Sequence, residues 1–195
     1  VGTRHSFNGI ADSPGEMIDM RGIAGDFVLD RAARTVTAGG ATQYGALAAW
    51  LEAQGMALHN MGSLPHISIA GATATGTHGS GDRNGNLSSA VCGLELIGPG
   101  GDLVTVRRGE PGFDGMVVGL GAFGVVTRVT LDVQPSFQVR QDAFVDLPWD
   151  SLFGNLDAVT SAAYSVSLMT MWSTPTVGRM WLKTRLADGL PESPP

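Results

Sequence analysis

From Gly62 to Gly85 the chain shows neither a helical nor an extended apolar period and is filled instead with glycine, serine and threonine. Such a run exceeds the ~12–15 residues beyond which structureless connections become rare in compact domains, which marks it as a functional loop. Whatever this chain folds into must carry that loop on a rigid frame. Glycine supports the same reading. It makes up 28 of 195 residues, about twice its usual share of roughly 7%, and clusters between Gly62 and Gly124. Glycine serves where backbone turns with positive φ or approaches a ligand closely.

The frame is legible on both sides of the loop. Asp26–Asp30 and Arg34–Ala38 read as two strands joined by a turn at Arg31-Ala32-Ala33 and stopped by Gly39 and Gly40. Tyr44, Leu47, Ala48 and Leu51 follow the i, i+3, i+4, i+7 spacing of a helix face, which predicts a helix over Gln43–Gln54. Thr42 is the expected N-cap and Gly55 the expected C′ residue. Met56–Leu58 returns as a strand. Beyond the loop, Ala90–Ile97 and Leu103–Val106 flank Pro99-Gly100-Gly101-Asp102 as a hairpin. A short helix over Phe113–Leu120 and a strong strand over Gly124–Val133 follow.

Gln134-Pro135 marks a boundary. After it come a strand over Phe137–Asp146, a helix over Trp149–Thr160, and strands over Ala163–Trp172 and Gly178–Arg185. That β-α-β-β order is half of a small α+β layer, which normally closes with another helix and strand. The tail from Ala187, with three prolines, is expected to be disordered.

Composition excludes several classes. Hydrophobic residues at 43% and charged residues at 15% describe a folded chain. A net charge of −6 with one lysine, Lys183, argues against nucleic acid and against anionic membranes as partners. An anion held here must rest mainly on backbone amides and a few arginines. The lone cysteine, Cys92, allows no internal disulfide and fits a reducing, cytoplasmic setting. It reads as a buried small hydrophobe. Neither a membrane span nor a signal peptide is visible.

Several motifs match by letter but not by context. Gly119-Leu120-Gly121-Ala122-Phe123-Gly124 has the G-x-G-x-x-G spacing, but a helix precedes it and a strand follows, the reverse of a dinucleotide turn. It is expected to be a tight turn feeding the Val125-Val126 strand. Gly71–Gly76 has the outer spacing of a P-loop but lacks its lysine. His59, His66 and His78 have no interleaved carboxylate, so no metal site is expected. No nucleophile elbow is present.

Two loops remain that can hold a flat, phosphate-bearing molecule. One is Gly62-Ser63-Leu64-Pro65-His66-Ile67-Ser68-Ile69-Ala70-Gly71 with Thr75-Gly76-Thr77-His78-Gly79-Ser80-Gly81. Amides of small residues form anion-binding nests without lysine, and hydroxyls at Ser63, Ser68, Thr75 and Thr77 add neutral donors. The other is Val1-Gly2-Thr3-Arg4-His5-Ser6-Phe7-Asn8, where an imidazole stands in a short polar loop. A ring nitrogen can bond to the electrophilic methyl group of a flavin.

Together with Gly124-Val125-Val126-Thr127, these motifs resemble the vanillyl-alcohol-oxidase-type flavoproteins with a PCMH-type FAD-binding fold, nearest to the alditol and xylitol oxidase group, over Val1 to about Arg185. The resemblance implies an α+β fold, with mixed sheets and flanking helices. Residues 1–134 would form the FAD-binding domain, 135–186 a partial substrate domain and 187–195 a tail. It places a covalent bond to FAD on His5. Val1, Gly2, Thr3, Arg4, Ser6, Ser63, Ser68, Gly71, Thr75, Gly76, Thr77 and His78 would hold the pyrophosphate, ribityl and ring. Val126 would add a backbone contact, and Ser63 would stand near the ring and the substrate hydroxyls as the catalytic position.

The activity implied is oxidation of a polyol such as xylitol or sorbitol to the aldose, with O2 reduced to hydrogen peroxide. A sugar-1,4-lactone oxidase, a flavin-binding remnant without catalysis and a purely structural fragment stay open as alternatives. Members of the family are about twice this length. The chain therefore reads as a fragment or truncated relative, expected to turn over polyols poorly.

Overall fold

The computed structural model describes residues 1–23 and 25–188, which form two compact units. The first comprises Val1–Gly79 and Gly85–Pro135, and the second Ser80–Asn84 and the described residues from Ser136 onward. The expected tail lies almost wholly outside the described residues.

In the first unit, β1 (Val28–Asp30) and β2 (Thr35–Gly39) form the expected hairpin, with Arg34 at φ 54° in its turn. Helix α1 (Tyr44–Ala53) buries Tyr44, Leu47 and Leu51, the face set by their spacing. Its ends differ in kind. Gly55 stands at φ 68°, the left-handed residue that terminates the helix, and Arg31 Nη2 donates to the exposed Gln54 carbonyl at 2.8 Å. The N-cap is Gln43 rather than Thr42, and no side chain caps it. The first amides of α1 find backbone partners instead: Tyr44 N–H donates to Ile67 O and Gly45 N–H to Pro65 O.

After β3 (Met56–Ala57) the chain enters the glycine-rich stretch, which is not structureless. Ile69–Ala74 forms a short helix, α2, with Ile69, Ala72 and Thr73 buried. Six residues give under two turns, too few for a helical period to show. Thr73 Oγ1 satisfies its buried position by donating to Ile69 O at 3.0 Å. β4 (Val91–Ile97) and β5 (Leu103–Arg107) pair as the expected hairpin; then come α3 (Phe113–Val117), β6 (Val125–Asp132) and β7 (Gln134–Pro135).

The main sheet has the order β1-β2-β6-β4-β5, every pairing antiparallel. The strand Val125–Asp132 is central, pairing with β2 on one side and β4 on the other. Its buried Val129 and Leu131 share one face, while Thr130 points to the other, where its hydroxyl meets that of Thr37 at 2.9 Å. Val36, Ala38, Val91 and Leu94 join the buried face, and all three helices contribute to the same core through Leu47, Leu51, Ile69, Ala72, Phe113 and Val117.

The second unit is a three-stranded antiparallel sheet of order β8-β10-β9, from β8 (Val139–Pro148), β9 (Ser165–Met169) and β10 (Thr176–Arg185). The single helix expected over Trp149–Thr160 is two, α4 (Trp149–Gly154) and α5 (Leu156–Thr160). Asn155 breaks it: its amide Nδ2 donates to Ser151 O at 3.0 Å while its backbone leaves the helical region at φ −135°. Asparagine often competes in this way with helical bonding. Leu152, Val159, Val177 and Met180 form this unit's own core.

Candidate functional site

The long loop is stitched to the frame by backbone bonds. Ile69 N–H donates to Thr42 O at 2.8 Å, Ala70 N–H to Gly40 O at 3.0 Å, and Gly40 N–H to Thr127 O at 2.8 Å. The junction admits no side chain at Gly40, where a Cβ would stand 2.5 Å from the Val126 carbonyl oxygen. Gly124, at φ 138°, is equally constrained, its Cβ position falling against the Ile97 carbonyl. These two glycines let strand, turn and loop meet around one cleft.

The cleft has a volume of about 240 Å³. It brings together Val1, Gly2, Ser68, Gly71, Thr75 and Val126 from the expected set. Its other wall is the turn Gly119-Leu120-Gly121 with Phe123, Gly124 and Val125. From sequence this turn has only a structural role, because its flanking elements stand in the wrong order for a dinucleotide turn; its glycine spacing is the one local signal that marks it.

Ser68 is the polar residue best placed to meet a ligand. It is buried at 5% exposure and precedes α2 without capping it by its side chain. Its Oγ lies between two glycines: a Cβ at Gly71 would be 2.8 Å away and one at Gly2 3.5 Å. Thr75 behaves differently from the expectation of a free donor. Its hydroxyl turns back to Gly71 O at 3.1 Å and lies 3.1 Å from the Thr77 hydroxyl. His78 Nδ1 lies 2.9 Å from Gly79 O. A carbonyl can only accept, so Nδ1 is the donor in this contact. Gly76 stands at φ 65° between them.

His5 lies beyond the cleft. Its ring meets His66 edge-on, centroids 5.9 Å apart at 79°, and Phe7 at 5.6 Å. Gly2 lines the cleft, and three further residues bring the chain to His5, a reach of at most about 11 Å. Arg4, between them, is held at φ 57°, a conformation uncommon for residues other than glycine and often found at functional sites. Thr3 is half-buried, whereas Ser6 and Ser63 are exposed. Asn60 was missed: its Nδ2 is buried and without a partner among the described residues, pressed against Gly79, where a Cβ would stand 2.7 Å away. Only its place just before Met61-Gly62 hints at a role.

This geometry suits one end of an elongated, partly aromatic ligand. The cleft is smaller than the ~300–1,000 Å³ of sites that enclose a drug-sized molecule. Apolar walls at Leu94, Leu96 and Val117 admit a flat ring, with the Ser68 hydroxyl at the edge, while the orphaned Asn60 donor and the two histidines lie further along the loops. No lysine is involved.

Comparison with known proteins agrees. Solved structures with the same fold include the cholesterol oxidase of B. sterolicum, at a TM-score of 0.76 and 23% identity over 86% of this chain and 35% of that one. Residues 1–107 match the FAD binding domain family. The chain belongs to that family, and its cofactor is FAD. It is 46% identical to the alditol oxidase of a Streptomyces species over 97% of its own length and 46% of that protein. It is 38% identical to the L-gulono-1,4-lactone dehydrogenase of Mycobacterium tuberculosis over 72% of its length and 33% of that protein. The chain thus spans less than half of these relatives. The flavoprotein resemblance read from the motifs, and its leaning toward the alditol oxidases, are met. Among the described residues no helix is long and apolar enough to cross a membrane.

Proposed function

We propose that this chain is the FAD-holding part of an oxidase that converts a polyol such as xylitol or sorbitol to the aldose and reduces O2 to hydrogen peroxide, in the cytoplasm. The single observation carrying this reading is the similarity to an alditol oxidase along 97% of the chain. The first unit would hold the cofactor, and the residues from Ser136 onward would begin a substrate-binding domain. Bound FAD would accept hydride from the substrate carbon and pass electrons to dioxygen.

The chain's own residues bind and orient. Backbone at Val1, Gly2, Gly71 and Val126, with the Ser68 hydroxyl, takes the adenine and phosphate end. Thr3, Arg4, Ser6, Thr75, Gly76, Thr77 and His78 follow the pyrophosphate and ribityl. His5 bonds covalently to the ring, and Ser63 offers its exposed hydroxyl to a substrate hydroxyl. Neutral donors and backbone amides suffice for the phosphates.

Reconstitution with FAD tests this. The chain should turn yellow, the colour should survive acid precipitation, and His5→Ala should bind flavin that acid releases. A colourless chain under all reconstitution conditions would sink the reading. The 38% identity to a lactone dehydrogenase favours a second substrate class. Oxygen uptake with xylitol, sorbitol and a sugar 1,4-lactone, measured on a chain extended to the length of its relatives, separates the two.

A further inference from the structure

Directly after the residues assigned to the cofactor, the chain leaves the first unit and comes back to it. Thr77 and His78 form the neck of this excursion: Leu87 N–H donates to Thr77 O at 2.8 Å, and His78 pairs with Asn86 in a β-bridge. The neck belongs to the first unit, yet the tip, Ser80–Asn84, belongs to the second. Two residues carry the chain from His78 to Ser80, a reach of at most about 7 Å.

Side chains fasten the tip. Ser80 Oγ lies 2.7 Å from Ser167 Oγ on β9. Thr160 Oγ1, at the end of α5, donates to Asp82 Oδ2 at 2.7 Å. Asn84 Nδ2 donates to Tyr164 O at 3.0 Å and to Ser80 O at 2.9 Å, so one amide both anchors the tip and closes it. Gly81, at φ 111°, gives the close approach; a Cβ there would fall against the Tyr164 carbonyl. Connecting segments ordinarily run solvated over the surface. Attachment to a strand, a helix end and a loop carbonyl makes this one part of the second unit.

We propose that Ser80–Asn84 is a coupling strap: FAD held by Thr75–His78 stabilises the second unit through it, and the anchored strap in turn tightens FAD binding. The inference rests on the assignment of Thr75–His78 to the cofactor given above. A ligand that orders the neck removes freedom that the tip regains on detaching, so opening of the second unit becomes rarer. Conversely, an anchored tip presents a neck that FAD need not order for itself. Coupling of this kind is reciprocal, so the two effects share one factor.

Hydrogen exchange of the full chain, read by mass spectrometry with and without FAD, tests this. The deciding amides are those of β9 and β10. At a free FAD concentration about a hundred times Kd their exchange should slow about tenfold, within the ~5–150-fold usual for coupled sites. The double variant Thr160→Val, Ser167→Ala removes two anchors from the body of the second unit and leaves the glycine-rich loop intact. At the same multiple of its own Kd, its slowing should drop to about threefold, and Kd from flavin absorbance should rise by the factor lost, also about threefold. Thr160→Ser keeps the donated hydroxyl and should match the unmutated chain. Undiminished slowing in the double variant would overturn the inference, as would flavin uptake without slowing in the unmutated chain. That last result leaves the cofactor assignment standing, whereas no flavin uptake at all removes the assignment and this inference with it. Should the double variant lack protected strands even without FAD, Thr160→Val alone, which retains the Ser80–Ser167 pair, decides by the same two readouts.

Discussion

Tyr44 illustrates how a single side chain can be well packed yet chemically unsettled. It is 3% exposed at the start of α1, and its phenol oxygen finds no partner among the described residues. Burial pushes the phenol well above its ordinary value of 10.0. A group whose pKa is raised by folding favours the folded state below its unfolded pKa and loses that contribution as pH rises toward the folded value. Stability should therefore hold up to about pH 10 and decline as pH rises from there toward the raised folded value, read as a falling urea midpoint. Tyr44→Phe should flatten that decline and, at neutral pH, stabilise by up to about 1–2 kcal/mol because an unsatisfied buried hydroxyl is removed. A destabilised Phe variant would reveal a partner for the oxygen. Ser68 gives the opposite case. Its hydroxyl caps nothing, so Ser68→Ala should leave the urea midpoint unchanged while weakening FAD affinity about tenfold, the worth of one hydrogen bond. Loop chemistry singles out Ser68, and the structure places it in the lining of the cleft. Asn60 was not legible, because a lone asparagine before a glycine has no pattern to mark it and its orphaned amide exists only once Gly79 folds against it.

Helix α1 separates what local sequence dictates from what it only suggests. The apolar spacing of Tyr44, Leu47 and Leu51 fixed the helix and its buried face, and Gly55 fixed its end. The N-terminus went elsewhere: its amides bond to Pro65 and Ile67 carbonyls far along the chain, which no cap signal near Thr42 could announce. Thr42→Ala should accordingly cost less than about 0.5 kcal/mol, where a true cap costs about 1 kcal/mol. Leu47→Ala, by contrast, opens a cavity in a fully buried position and should cost about 2–5 kcal/mol. Urea unfolding of the two variants side by side checks both statements. Helix α2 and the break at Asn155 escaped for related reasons. One is too short to display a period; the other lies within an unbroken apolar pattern and depends on which hydrogen bond the asparagine side chain chooses.

The chain as a folded object consists of two units with separate cores, and the cleft is lined by the first alone. Ligand binding stabilises what it binds, by about 2.7 kcal/mol at a free concentration a hundred times Kd. FAD should therefore raise the unfolding midpoint of the first unit. Trp50, edge-on to Phe27 at 5.2 Å, reports on it once Trp149, Trp172 and Trp181 are replaced by Phe. A shift of that size in the Trp50 signal is expected; no shift at saturating FAD would place the binding site outside this unit. The cysteine is quiet in this picture: burial raises the Cys92 thiol above its ordinary value, as does the nearby Asp132 charge, so it is a poor nucleophile.

Local patterns set the strands of the main sheet, the face of α1, the boundary near Pro135 and the kind of molecule the loops could hold, because period, glycine content and charge act over a few neighbouring residues. Which loops would meet was decided only by folding. The cleft forms because antiparallel pairing centres β6, the turn before that strand reaches the end of α2, where Leu120 N–H donates to Ala74 O, and Gly40 and Gly124 allow three backbones to touch. The meeting of His5 with His66 has the same origin: sixty-odd residues of chain separate them, and a hydrogen-bonded frame at α1 brings them together.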